Sequence, residues 1–295
     1  MKALVVLVHY FASEPNPRHS SVDEARRVDR TNVVQRVVRG YRGAFGPSAE
    51  VRYARKQSSY VLDMACPVDL DLRILTVPGH SLLDQPFRDR FGVAQTSAQP
   101  TNPRMLGFDA YRVFAKHADQ YDWFIYSEDD LLVRDPLFFD KLIWFNRTFG
   151  DRRVLSPNRF EWNDQGKTQK TWIDHDLEES VSRSLLSAID DEETLTATPL
   201  STPTTFRRAN NPHSGFFAIN ATQLAHWMSR PHWLDRDASF VSPLESAATL
   251  GLARTFSVYK PAGRAAGFLE IEHLDNRFSG RARPLTILST TGGTK

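Results

Sequence analysis

The chain has 295 residues, a formal net charge of +2, 41% hydrophobic and 11% aromatic residues. That is enough apolar material for the core of a globular α/β protein, and the near-zero net charge excludes a chain built to hold nucleic acid. Cys66 is the only cysteine, so a disulfide framework is excluded as well.

Residues 2–11 read as a first strand, apolar on both faces and therefore buried in a sheet. The apolar run is too short, and too weakly flanked, for a signal peptide. No stretch approaches the roughly 20 apolar residues of a membrane span. A cytoplasmic protein is expected, with at most peripheral membrane contact, so the Asn-X-Thr triplets at Asn146 and Asn220 carry no glycosylation meaning. Arg26, Arg27, Arg30, Arg36, Arg39, Arg42, Arg52, Arg55 and Lys56 form a basic run. It reads as a solvated helix face, or alternatively as a surface for an anionic membrane or phosphate-bearing substrate.

Val33, Val34, Val37, Val38 and Tyr41 place a helix from about Asn32, ending near Gly43 and Gly46. A second strand lies within Val68–Val77, and residues 79–103 read as irregular. Met105, Phe108, Tyr111, Phe114, Ala115 and Ala118 share one stripe of a helix. Tyr121–Ser127 is the best central strand, and it runs into Glu128-Asp129-Asp130. Asp135-Pro136 opens the next helix, with a cap residue and a first-turn proline. Val154–Phe160 is a short strand. Residues 161–210 lose periodicity and read as a long flexible loop, a lid over an acceptor. His213–Ile219 is a strand, followed by a helix from Ala221 capped by Asn220 and Gln223. Ser242–Leu252 is a helix, Thr255–Tyr259 a strand, and 281–295 a loose tail. Alternating strands and helices predict an α/β sandwich around a mostly parallel sheet, in one domain over 1–280. About 1–130 would be its nucleotide-binding half and about 131–280 its acceptor half.

In such sheets ligands gather at the carboxyl ends of strands, where the acidic triplet falls. Three adjacent carboxylates repel one another and need a cation, a helix amino terminus or solvent. Mg²⁺ or Mn²⁺ supplies that charge and bridges substrate phosphates. On an extended chain Glu128 and Asp130 share one face, one to hold sugar or ribose and the other to hold metal. The bland alternative is an acidic loop that helps open the helix after Asp135.

The segment Tyr121–Val133, with Glu128-Asp129-Asp130 at its centre, resembles the strand and metal motif of GT-A fold glycosyltransferases, whose Asp-X-Asp pattern has Glu-Asp-Asp as a variant. The resemblance implies a three-layer GT-A-like sandwich and a UDP- or GDP-sugar donor. The acceptor it implies is a carbohydrate or glycolipid, with bacterial surface polysaccharide as a candidate. By the same resemblance Asp130 is the metal ligand, Asp129 faces donor ribose or sugar, and Glu128 belongs to the donor site or shapes the turn. His213-Ser214-Gly215-Phe216-Phe217 resembles the glycine-containing strand lining donor and acceptor, which places His213 and Gly215 there. Glu272-His273-Leu274 sits where many members carry a metal-binding histidine, here His273.

Ser242-Pro243-Leu244-Glu245 resembles the segment presenting a catalytic acid, and it is equally a capping box, so Glu245 is either base or cap. Asp235 and Asp237 are rival bases. His9-Tyr10-Phe11 ends the first strand, where a nucleotide base would lie. Trp227 and Trp233 suit sugar stacking, though Trp227 shares helical spacing with Leu224 and Met228 and so suits the core. A sugar-phosphate nucleotidyltransferase shares the metal–diphosphate logic, but Ala12–Arg18 lacks that class's glycine-rich loop. A catalytically inactive carbohydrate-binding relative is the third reading.

Overall fold

The structure is a computed structural model that describes residues 1–14, 20–45, 49–54, 57–63, 68–163, 169–186, 189 and 191–279. Gly46, Arg55, Lys56, Cys66 and the predicted tail 281–295 lie outside the described residues.

Strand β1 (Lys2–Val8) leads through a short 3-10 turn at Glu24–Arg26 into helix α1 (Arg27–Phe45). A ribbon of β2 (Ala49–Ala54) and β3 (Gln57–Asp63) follows, then β4 (Asp69–Thr76), α2 (Gln85–Phe91) and β5 (Val93–Ser97). A 3-10 stretch, Pro103–Phe108, runs into α3 (Asp109–Lys116), which leads to β6 (Trp123–Glu128), β7 (Leu131–Leu132), α4 (Phe138–Phe149), β8 (Arg153–Leu155) and β9 (Asn158–Asn163). Then come β10 (Gln169–Trp172), α5 (Glu179–Leu186), β11 (Thr194–Ala197), β12 (Thr204–Arg208), β13 (Phe216–Asn220) and α6 (Ala221–Met228). The last elements are α7 (Pro243–Ala247), α8 (Leu250–Ala253), β14 (Ser257–Pro261) and β15 (Glu270–His273).

The main sheet has the order β13-β6-β1-β4-β5, parallel throughout except for antiparallel β13. Alternation along β1 sends Ala3, Val5 and Leu7 into a core with α1 and α4, and Leu4, Val6 and Val8 into a second core with α3 and α6. Helices thus cover both faces, and the fold is a three-layer α/β sandwich around a mostly parallel sheet. A smaller sheet, β10-β9-β15-β7, abuts the carboxyl end of β6 and carries half of the candidate site.

Three sequence expectations are corrected. Helix α1 starts five residues before Asn32, because Asp23 caps the 3-10 turn that feeds it. Residues 79–103 are not irregular. Asp84 caps α2 by accepting from Phe87 N at 2.8 Å, and Gly92 closes it at φ +59, but about two turns are too short to show a period. The stretch 161–210 is not one long loop, since β10, α5, β11 and β12 lie within it. Antiparallel partners supply the order there: β9 pairs with β10, and β11 with β12, which pairs in turn with β14. The Asn220–Gln223 capping box is present as expected.

Candidate active site

Each carboxylate of the triplet has a different environment. Strand β6 ends beside β1, with Val8 opposite Glu128, so the residues after Val8 meet the residues after Glu128. His9 therefore reaches Asp129, Nδ1 to Oδ2 at 2.5 Å. Leu82 N donates to His9 Nε2 at 2.9 Å, so the ring proton belongs on Nδ1 and is given to Asp129. From α1, Arg30 donates one nitrogen to Asp129 Oδ1 and another to Asp130 Oδ2 at 3.2 Å. Arg30 is only 4% exposed. Burial alone would raise the Asp129 carboxyl, but Arg30 and His9 more than reverse this and hold it at about 2. Each Asp129 oxygen thus accepts from a buried partner, and the residue anchors Arg30 and His9 at the end of β6.

Asp130 differs. Its Oδ1 is buried and has no hydrogen-bond partner among the described residues. Its Oδ2 lies 3.8 Å from His273 Nε2, too long for a hydrogen bond. The next-door strands explain the approach. β15 runs parallel to β9, and His273 Nδ1 meets Glu161 Oε1 at 2.7 Å, while Leu274 N donates to Asp130 O at 2.9 Å. Glu161 is fully buried and also accepts from the backbone N–H groups of Phe278 and Ser279. Burial opposes charging of His273, but Asp130 and Glu161 outweigh it and raise the imidazole. With Nδ1–H committed to Glu161, Nε2 is the atom aimed at Asp130. A carboxylate behind a histidine is the arrangement that orients metal-ligating imidazoles.

No three His, Cys, Asp or Glu side chains form a ready cage among the described residues. Mg²⁺ and Mn²⁺ sites that serve phosphates need only one or two protein ligands, with substrate oxygens and water completing the shell. The orphaned Asp130 Oδ1, together with His273 Nε2 at 3.8 Å from the same carboxylate's Oδ2, fits that demand.

Glu128 sits over Gly215. A Cβ at that glycine would lie 2.5 Å from Glu128 Oε2, and its φ of +58 suits glycine for a second reason. Burial, then the neighbouring Asp130, raises the Glu128 carboxyl to about 7, with Glu245 adding to the effect and Arg159 opposing it. Glu245 therefore stands within electrostatic reach of the triplet. Ser242 makes no side-chain cap bond to α7. Its hydroxyl donates to Glu245 instead, so the expected capping box is not formed.

Other expected residues are placed elsewhere. Asp237 accepts from Ser239 N at 2.8 Å and from Arg254 at 2.5 Å, and these bonds hold its carboxyl at about 2, too weak a base for neutral pH. Asp235 pairs with the same Arg254 at 3.1 Å. His213 is 8% exposed, bonds Thr249 at 3.0 Å, and is kept neutral by burial and by Arg159. Phe11 is buried beneath the Arg27 guanidinium, whereas half-buried Tyr10 stacks on His80 at 4.7 Å. Of the first-strand trio, only Tyr10 presents a ring surface. Trp227 is core, touching Tyr111 and Phe217, and Trp233 packs on it.

Sequence reasoning missed Arg30, Glu161 and Arg159. Arg30 belongs to the stripe Arg30, Val34, Val37, Tyr41, all buried, so the helical period itself marked it as inward-facing rather than as part of a solvated face. Arg42 departs likewise, donating to the carbonyls of Leu70, Phe91 and Gly92. Arg159 is buried against Asp174 at 2.7 Å, which also takes Lys260 at 2.7 Å. No local signal marked Glu161 or Arg159, because their partners are distant in sequence.

No helix among the described residues is long and apolar enough to cross a membrane. A scan of protein-family models finds no match, and a search of curated protein sequences finds none either. Among solved structures, the chain shows likeness to a Desulfovibrio desulfuricans G20 protein assigned as a nucleotide-diphospho-sugar transferase, with 10% identity over 84% of this chain and 73% of that one, at a TM-score of 0.35. A CMP:2-keto-3-deoxy-manno-octonic acid synthetase complexed with CTP matches with 12% identity over 84% and 82%, at 0.32. Mannose-1-phosphate geranyltransferase from Thermus thermophilus matches with 9% identity over 89% and 74%, at 0.39.

Proposed function

We propose that the chain is a divalent-metal-dependent glycosyltransferase that moves a sugar from a UDP- or GDP-sugar to a carbohydrate or glycolipid acceptor. The observation that carries this reading is the geometry at Asp130: its buried Oδ1 has no partner among the described residues, and its Oδ2 lies 3.8 Å from a histidine nitrogen oriented from behind by Glu161. Asp130 and His273 would hold Mn²⁺ or Mg²⁺, which supplies charge to stabilise the departing diphosphate. Asp129 fixes Arg30 beside Asp130 and so keeps the carboxylate in place. Glu128, its carboxyl raised by burial and by the neighbouring Asp130, would meet a sugar hydroxyl, and Gly215 leaves room for its carboxyl group. Tyr10, with its ring on His80, offers a stacking face for the nucleotide base.

Glu245 is the base. It takes the acceptor hydroxyl's proton as that oxygen bonds to the anomeric carbon, and the bond from that carbon to the diphosphate oxygen breaks with its electron pair leaving on the nucleoside diphosphate. The test is product identity. Supplied with Mn²⁺, a UDP- or GDP-sugar panel and candidate acceptors, the protein should release nucleoside diphosphate. Release of pyrophosphate from nucleoside triphosphate and sugar phosphate, without any nucleoside diphosphate, would move it to nucleotidyl transfer.

A further inference from the structure

Beside the triplet, on the side of β13, the buried charges do not balance. Successive side chains of β9 alternate, so Arg159 shares a face with Glu161, the residue that backs His273. Arg159 is 8% exposed. Asp174 accepts from its backbone N at 3.1 Å and from its Nε at 2.7 Å, and the same carboxylate takes Lys260 Nζ at 2.7 Å. Lys260 also donates to the carbonyl of His213 at 3.0 Å, which ties the trio to the segment before β13. One buried carboxylate therefore serves two buried cations, and the trio carries one positive charge in excess.

The excess is presented on the Arg159 guanidinium. Its two terminal nitrogens hydrogen-bond no described residue, and neither is sealed from solvent. Among the described residues Asp174 is the only carboxylate in ion-pair contact with it. Glu128, Asp130, His213 and His273 nonetheless lie within its electrostatic reach, so the open end of the side chain belongs to the triplet site. With Nε fixed from behind by Asp174, the two remaining nitrogens form a pre-set fork that matches a planar oxyanion.

Position selects which anion. The main sheet runs β13-β6-β1-β4, and its carboxyl edge carries the site. Tyr10 and His80, the stacked pair, follow β1 and β4, and the triplet ends β6. His213 and Gly215 lead into antiparallel β13, where Gly215 O accepts from Glu128 N at 2.9 Å. A nucleotide with its base on Tyr10 and its diphosphate at Asp130 covers the span from β1 to β6, so the part that continues towards β13 and Arg159 is the sugar. We infer that Arg159 is a specificity residue that binds a carboxylate borne by the donor sugar, and hence that the donor is a nucleotide-activated uronic acid. This rests on the metal–diphosphate reading of Asp130. A neutral hexose would leave the buried fork unmatched, whereas a ring carboxylate answers it through two parallel N–H···O bonds.

The test is calorimetric titration of the full chain, with Mn²⁺, against two matched series: UDP, UDP-glucose and UDP-glucuronate, then GDP, GDP-mannose and GDP-mannuronate. In the series whose nucleotide binds, the uronate donor should bind at least roughly tenfold more tightly than its neutral counterpart, the scale of one charge-assisted bond. Arg159→Gln should abolish that preference while UDP or GDP alone keeps its affinity. Asp174 retains Lys260 in this variant, a balanced pair, so the unfolding midpoint should hold. Arg159→Lys, a point charge without the fork, should keep only part of the preference. Equal affinity for uronate and neutral donors in the intact protein would overturn the assignment without any variant, and would leave the metal–diphosphate reading standing. Arg159→Gln weakening UDP or GDP as much as the uronate donor would put the fork on the diphosphate and overturn it too. Absence of Mn²⁺-dependent binding for every one of these nucleotides would overturn both readings together.

Discussion

Asp129→Asn removes the charge that balances Arg30. In the variant, Asp130 at 3.2 Å is the one carboxylate still hydrogen-bonded to the buried guanidinium, and the asparagine can accept from only one of its two donors while its NH2 faces the other. Breaking a buried pair by neutralising one partner costs about 3–5 kcal/mol, and the surviving Asp130 contact lowers the expected figure to about 2–4 kcal/mol. A second route gives a similar size. The Asp129 carboxyl is held at about 2 rather than 3.8, which is worth roughly 2–3 kcal/mol at neutral pH. The sign follows from the depressed value: this stability is present above pH 3.8 and is lost as pH falls through about 2. Urea unfolding at pH 7 should therefore show the loss in midpoint with an unchanged m-value. The gap between wild type and variant should close as pH is lowered from about 4 towards 2. A loss below about 1 kcal/mol, or a gap independent of pH, would refute the anchoring role. If Asp129 instead touched the donor, the variant would keep its stability and lose donor affinity.

Glu128→Gln has the opposite sign. The carboxyl raised from 4.5 to about 7 makes the free protein less stable as pH climbs through that interval. The glutamine variant should thus equal or exceed wild type by about 1–3 kcal/mol at pH 8 in thermal or urea unfolding, and its rate profile should lack a limb near pH 7. Gly215→Ala meets both a φ of +58 and a contact at 2.5 Å, so a loss of about 1–3 kcal/mol in urea unfolding is expected, with weaker donor binding because Glu128 is displaced. Glu245→Gln should lower turnover by at least roughly 100-fold, the scale of a lost general base, with little change in unfolding midpoint. Retained turnover with a lowered midpoint would return the residue to a structural role.

Much of the architecture was legible because it is periodic. The two-sided apolar run of β1 and the aromatic run of β6 mark buried parallel strands, and they place Glu128-Asp129-Asp130 at a strand's carboxyl end. The Asn220 box was legible because caps are local. What was not legible depends on distant partners. Strands β10 to β12 are short and polar and take their order from antiparallel neighbours. Which triplet acid is free was equally hidden, since Asp129 is claimed from His9 and Arg30, each about a hundred residues away. Spacing alone favoured Glu128 and Asp130 as one face. Packing separates them, leaving one as a raised acid over Gly215 and the other beside His273.

The most direct test of the metal–diphosphate site is the unfolding midpoint of wild type and Asp130→Ala with UDP and GDP, each measured with and without Mn²⁺. Ligand binding to the native state must raise the midpoint. The expected result is a shift in wild type that requires nucleotide and Mn²⁺ together and disappears in Asp130→Ala while that variant remains folded. A Mn²⁺-dependent nucleotide shift of equal size in Asp130→Ala would contradict the site.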